Sequence, residues 1–112
     1  MESFRALSEE YPLRVGELVR FLRQDGGGFP LSDKLLECGV TAGLACRTCP
    51  GGAPTEPAAA IRALEESGYI IEMAVRAGYL SKLQGSHILG KGQTLLALLK
   101  NEAWKDEEGE LE

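Results

Sequence analysis

Apolar residues recur along this chain at intervals of three and four, and runs of Gly and Pro interrupt them. That spacing lines side chains along one face of a helix, so the pattern predicts helices joined by loops. Leu7, Tyr11, Val15, Leu18, Val19 and Leu22 form the first stripe. They predict a helix over about 8–24, capped by Ser8, with Pro12 at the edge of the first turn. DGGGFP closes it at 25–30. A second helix, over about 32–49, starts at Ser32 and has a middle of small residues: Cys38, Gly39, Thr41, Ala42, Gly43, Ala45 and Cys46. Each helical Gly costs about 1 kcal/mol relative to Ala. Two of them predict a backbone held close to a neighbour. CPGGAPTEP then breaks the chain.

A third helix is predicted over about 56–77, with Thr55 as cap and Pro57 in the first turn. Its stripe is Ile61, Leu64, Gly68, Ile71 and Val75, widened by Tyr69, Ile70 and Met73. Gly78 suits a left-handed C-terminal cap. The fourth helix, over about 82–104, opens with Ser81 and Gln84 as a capping box. Leu83, Ile88, Leu95, Leu98 and Leu99 supply its apolar faces. Short connections between helices of similar length predict one all-α domain over 1–112, an antiparallel up-down-up-down four-helix bundle.

Charge changes the picture at one end. Residues 101–112 carry six acids and one lysine, whereas the remainder carries eleven acids and eleven bases, so the net charge of −5 sits in the tail. This predicts a neutral body with an acidic, frayed C-terminus. The basic excess of a nucleic-acid binder is missing, which disfavours RNA or DNA as partner. No run reaches the ~20 apolar residues of a membrane span. The segment MESFRALSEEYP has acids where a secretion signal carries lysines, so the expected compartment is the cytoplasm. Three cysteines, an odd number, fit reducing conditions better than a disulfide framework.

Three groups invite a chemical reading. GSHILGKGQT (85–94) almost spells a phosphate-binding loop. Such a loop needs a strand before it and a Ser or Thr after the lysine, but a helix has already begun and Gly92 follows Lys91. Gly85, Gly90 and Gly92 are expected to allow close helix contact or a bend. Cys46 and Cys49 form a C-x-x-C pair, which with Cys38 and His87 makes the sole Cys/His set for a metal. A redox pair favours a helix N-terminus, whereas this pair is predicted at a C-terminus. Cys38 and Cys49 lie within about 20° of one helix face, so packing is the simplest expectation, with no metal and no cofactor. His87 has no orienting acid or nucleophile nearby in sequence. Glu65, Glu66 and Glu72 lack the Glu-x-x-His partner of a di-metal bundle site.

PLSDKLLECGVTAGLACRTCPGG and IRALEESGYIIEMAVRAGYLS together resemble the second and third helices of the four-helix bundle proteins encoded in 23S rRNA intervening sequences. That family includes the accessory bundle of diversity-generating retroelements. Leu31, Ser32, Asp33, Leu35, Cys38, Val40 and Thr41 match the first segment in kind. Ile61, Leu64, Gly68, Glu72, Gly78, Tyr79 and Leu80 lie on the pattern of the second. The family's paired arginines correspond here to Leu36 and Glu37. The resemblance implies a homo-oligomer, a ring of five bundles, and structural roles for Leu31, Asp33, Thr41, Gly68, Glu72, Gly78, Tyr79 and Leu80. A structural hydrogen bond is the simpler expectation for Glu72. Arg14, Arg20, Arg23, Arg47, Arg62 and Arg76 would form a basic face only if they met across such a ring.

The functional expectation is a non-enzymatic, ring-forming interaction module with a possible protein partner and no membrane association. The alternatives are a nucleic-acid-binding accessory protein and, third, a small metal- or thiol-dependent protein using Cys46 and Cys49.

Overall fold

The computed structural model describes residues 3–25, 27–48, 52–102 and 104. Four helices account for most of them: α1 (Phe4–Gln24), α2 (Ser32–Ala45), α3 (Pro57–Arg76) and α4 (Lys82–Lys100). Among the described residues there is no strand, only an isolated bridge between Thr48 and Pro54. The fold is all-α, with four helices around one core. α2 packs against α1 and α3, and α4 packs against α3 and α1.

The helix starts depend on local chemistry. Ser3, not Ser8, caps α1, and its Oγ accepts the Ala6 N–H at 3.1 Å. The first helix is therefore longer than the apolar stripe predicts, and Phe4 joins its buried face. Pro12 lies inside α1. Proline in a helix interior forfeits one hydrogen bond at a cost of about 3 kcal/mol, and here its ring fills the space over Gly43. The pair Ser81 and Gln84 forms the expected capping box, with bonds of 3.1 and 2.8 Å.

The helix ends are equally specific. Gly78, at φ +89, closes α3 in the left-handed conformation; its N–H bonds Val75 O while the Tyr79 N–H bonds Ala74 O. This is a Schellman closure, which only Gly adopts cheaply. α2 stops at Ala45, short of the expected Cys49. The chain folds back, and Thr55 Oγ1 donates to Leu44 O and Ala45 O at 3.3 and 3.2 Å. Thr55 thus caps the end of α2 and not the start of α3, whose N-cap is Glu56.

The buried faces carry a repeat. On α4 they are Gly85, Ile88, Gly92, Leu95 and Leu99; on α3 Ala60, Leu64, Ser67, Ile71 and Ala74 recur; on α2 and its cap, Ser32, Leu35, Gly39, Ala42 and Cys46. Steps of three and four alternate in all three, the spacing of knobs-into-holes packing. Small residues in each stripe receive large ones from α1 or α3. A Cβ on Gly39 would lie 2.8 Å from Val15 Cγ1, one on Gly43 2.9 Å from Pro12, and one on Gly92 2.9 Å from the Tyr11 ring. A Cβ on Gly85 would strike Val75. The expected close approach therefore holds at Gly85 and Gly92. Gly90 meets nothing within 4 Å and plays no such part.

One buried polar pair crosses the core. Tyr11 Oη and Ser67 Oγ are 2.6 Å apart, and Ser67 Oγ also donates to Leu64 O at 3.0 Å. A hydroxyl has one proton to give, so Tyr11 is the donor to Ser67.

Candidate functional site

The residues singled out from sequence scatter over the bundle. Cys38 and Cys46 are buried free thiols. Burial pushes the Cys46 thiol up to about 11. Burial also raises Cys38, and the charge of Glu66 adds to it. Both thiols stay protonated near neutral pH and pack as small hydrophobes, because nucleophilic or ligating sulfur is thiolate. Cys49 lies outside the described residues, so the C-x-x-C pair has no described geometry. His87 is exposed on α4. No three His, Cys, Asp or Glu side chains converge as a metal site among the described residues.

The family-pattern residues fall into two groups. At one end of the bundle, Gly78, Tyr79 and Leu80 turn the chain beneath the α1–α2 connection, where the Tyr79 ring meets Phe29 at 4.9 Å between centroids. Leu31 is half-buried there, and exposed Asp33 pairs with Arg23. Thr41 is exposed on α2, beside the α2–α3 groove that also holds the Lys34–Glu66 pair at 3.1 Å. The second group is Gly68 and Glu72. Glu72 is exposed and has no hydrogen bond or ion pair to the described residues, which overturns the expected structural bond. It stands on the rim of a cleft.

That cleft lies between α3 and α4, holds about 230 Å³ and has Gly68 and Gly92 in its lining. Leu64, Leu89 and Leu96 floor it, the Tyr11 ring closes its depth, and Glu65, Glu72 and Tyr69 edge it. Tyr69 stands 65% exposed. Glu65 has a surface partner in Lys100 at 3.5 Å. Carboxylates beside an exposed phenol suit a guanidinium or ammonium group, which would gain a charged pair and a ring face together.

A second groove runs between α1 and α2 and holds about 610 Å³. Pro12, Leu13 and Gly43 line it, with Arg5 and Arg47 at its margin. Leu13 is 69% exposed, and one turn apart on α2 Val40 and Leu44 are 53% and 56% exposed. Large apolar side chains this open, clustered on one helix pair, mark a contact surface more often than chance. Arg47 has no ion pair to the described residues.

Sequence reasoning missed both features. The apolar spacing puts Tyr69, Met73 and Leu83 on stripes expected to face the core, whereas Leu83 is 81% exposed. The buried face of α3 is turned toward Ala60, Ala63, Ser67 and Ala74, residues too small to register as hydrophobic signal. The stretch GSHILGKGQT lies wholly within α4, where its Gly85 and Gly92 serve packing. Lys91 reaches back to Glu10 at 3.0 Å in a half-buried pair. That hydrogen bond pulls the Glu10 carboxyl below its usual range. No helix among the described residues is long and apolar enough to cross a membrane. No protein-family model, curated protein or solved structure matches the chain.

Proposed function

We propose that this chain is an antiparallel up-down-up-down bundle that works without catalysis, as a subunit of a homo-oligomeric ring presenting a shared surface to a partner. The antiparallel reading is supported by contacts in which one residue number rises as the other falls. Pro12 meets Gly43 and Val15 meets Gly39 between α1 and α2. Val75 meets Gly85 and Gly68 meets Leu89 between α3 and α4. Phe4 meets Trp104 and Tyr11 meets Gly92 along α1 and α4.

The observation that carries the functional reading is the set of open apolar side chains, Leu13 on α1, Val40 and Leu44 on α2, Tyr69 on α3 and Leu83 on α4. Leaving large apolar side chains in water forgoes about 1.5–3 kcal/mol for each that a partner could bury. Assembly recovers that energy for a small domain. A ring of five, as the resemblance to the 23S rRNA intervening-sequence proteins implies, has a mass near five times 12.1 kDa, about 60 kDa.

Multi-angle light scattering on the purified chain tests this reading. A single species near 60 kDa is expected, and a monomer at all accessible concentrations overturns it. Retention of RNA that falls steeply with salt would instead favour the nucleic-acid reading, with Arg20, Arg47, Arg62 and Arg76 as its exposed bases.

A further inference from the structure

We propose that the α1–α2 face of one copy docks onto the α3–α4 face of the next, with Tyr69 seated in the α1–α2 groove and Arg47 directed to Glu72. The proposal rests on the ring reading above and assigns its contact surfaces.

Three observations support it. First, the two apolar surfaces sit on opposite sides of the bundle. α2 touches α1 and α3, and α4 touches α3 and α1, so the four helices close a square in which the α1–α2 edge faces away from the α3–α4 edge. Two different surfaces are what a head-to-tail contact requires, and a rotation between successive copies closes it into a ring; a two-fold contact would use one surface twice. Second, one face is a groove lined by Pro12, Leu13 and Gly43 beside Ser8, Glu9 and Thr48, and the other carries Tyr69, 65% exposed at the edge of its cleft. Tyrosine is enriched among the residues that anchor interfaces. Third, each face carries one charge that its own chain leaves over: Arg47 borders the groove and Glu72 borders the cleft, whereas Arg5 is paired with Glu9 and Glu65 with Lys100. Arg47 and Glu72 have no ion pair of their own with the described residues.

The size is also adequate. Helices α3 and α4, of 20 and 19 residues, cover roughly 30 Å by 20 Å in plan, and α1 with the 14-residue α2 covers somewhat less. The accessible area of such a corrugated face is on the order of the ~800 Å² per partner that a stable contact takes. The contact must therefore use most of each face, so one introduced charge at its centre should disrupt it.

Two single variants test the assignment, Leu44→Glu on the α1–α2 face and Tyr69→Glu on the α3–α4 face. Both positions are exposed, so each variant should keep the helical circular dichroism of the parent chain. Each alone is expected to sediment as a monomer. Each also retains the surface the other lacks. Mixed in equal amounts, at ten times the concentration that fully assembles the parent, they are expected to form a dimer of twice 12.1 kDa and nothing larger. The exchange Arg47→Glu with Glu72→Arg should restore assembly that either change alone weakens by about tenfold or more. If the parent assembles but only one variant, or neither, disrupts it, the head-to-tail assignment fails and the ring reading stands. If both variants are monomeric and their mixture stays monomeric, the assignment also fails. A monomeric parent overturns both.

Discussion

Gly39→Ala and Gly90→Ala are the same chemical change in the middle of two helices, and the structure gives them opposite signs. Alanine in place of a helical glycine normally stabilises by about 1 kcal/mol, through lower backbone entropy in the unfolded chain. At Gly90 nothing lies within 4 Å of the new methyl, so this gain should appear almost whole. At Gly39 the methyl would sit 2.8 Å from Val15 Cγ1 and 3.1 Å from Val15 Cβ. Ordinary carbon contacts need about 3.5–4.0 Å, so one element must move by roughly 0.7–1.2 Å. Val15 is completely buried, and as a β-branched residue it has no easy alternative rotamer. Overpacking of this kind costs about 1–3 kcal/mol. The net effect at Gly39 is a loss of up to about 2 kcal/mol, and the two variants should differ by about 1–3 kcal/mol. At roughly 4 °C per kcal/mol for a domain of this size, their melting temperatures should differ by about 4–12 °C, read at 222 nm at one protein concentration. Gly39→Ala melting at or above Gly90→Ala would show that α2 does not press its backbone on α1, and the packing account would fall with it.

Three further expectations follow from polar and titrating groups. Ser67→Ala strands the Tyr11 hydroxyl in the core and should cost about 1–3 kcal/mol in urea unfolding, whereas Tyr11→Phe leaves Ser67 bonded to Leu64 O and should cost about 1 kcal/mol; equal losses would contradict the donor assignment. The Cys46 thiol is raised from 9.0 to about 11 in the folded state, so the folded chain binds the proton more tightly than the unfolded one. The stability this contributes is present below pH 9 and declines as pH rises toward 11, by up to about 2–3 kcal/mol. Cys46→Ala should flatten that decline in unfolding curves, and an unchanged slope would remove Cys46 as its source. Ser81→Ala removes the cap of α4 and should lower stability by about 1 kcal/mol, with amide exchange quickening first at Leu83 to Gly85; no change there would mean that the capping box is not what starts the helix.

The helices were legible because their signals are local. Gly78 ends α3 and Ser81 with Gln84 starts α4 by chemistry confined to four or five residues, and both behave as the sequence predicts. The boundaries that differ from expectation depend on distant partners. Nothing near Ala45 in sequence says that Thr55 will return to take its carbonyl, and nothing near Pro12 says that Gly43 will make room for a proline inside α1. The buried face of α3 lies about 80° around the helix from the expected stripe, for a related reason. Ala60, Ala63, Ser67 and Ala74 are buried because a neighbour comes close, and closeness leaves no trace in the hydropathy of a small side chain.

The same rotation makes the functional reading possible. A hydrophobic stripe drawn from sequence collects every large apolar residue at helical spacing, whether it faces the core or a partner. Burial in the single chain separates the two sets. Tyr11, Leu64, Ile71 and Leu95 go inward, and Leu13, Val40, Leu44, Tyr69 and Leu83 stay outside. Of the second set, Tyr69 and Leu83 belong to the predicted stripes, and all five are unused by the chain's own core. None of them lines the α2–α3 groove, where exposed charge pairs Lys34 with Glu66; Leu13 lines the α1–α2 groove and Tyr69 the α3–α4 cleft. Large apolar side chains that the core leaves in water are what link an unremarkable bundle to an assembled one, and they make Tyr69 and Leu44, more than any cysteine or the lone histidine, the residues whose substitution should change what the protein does.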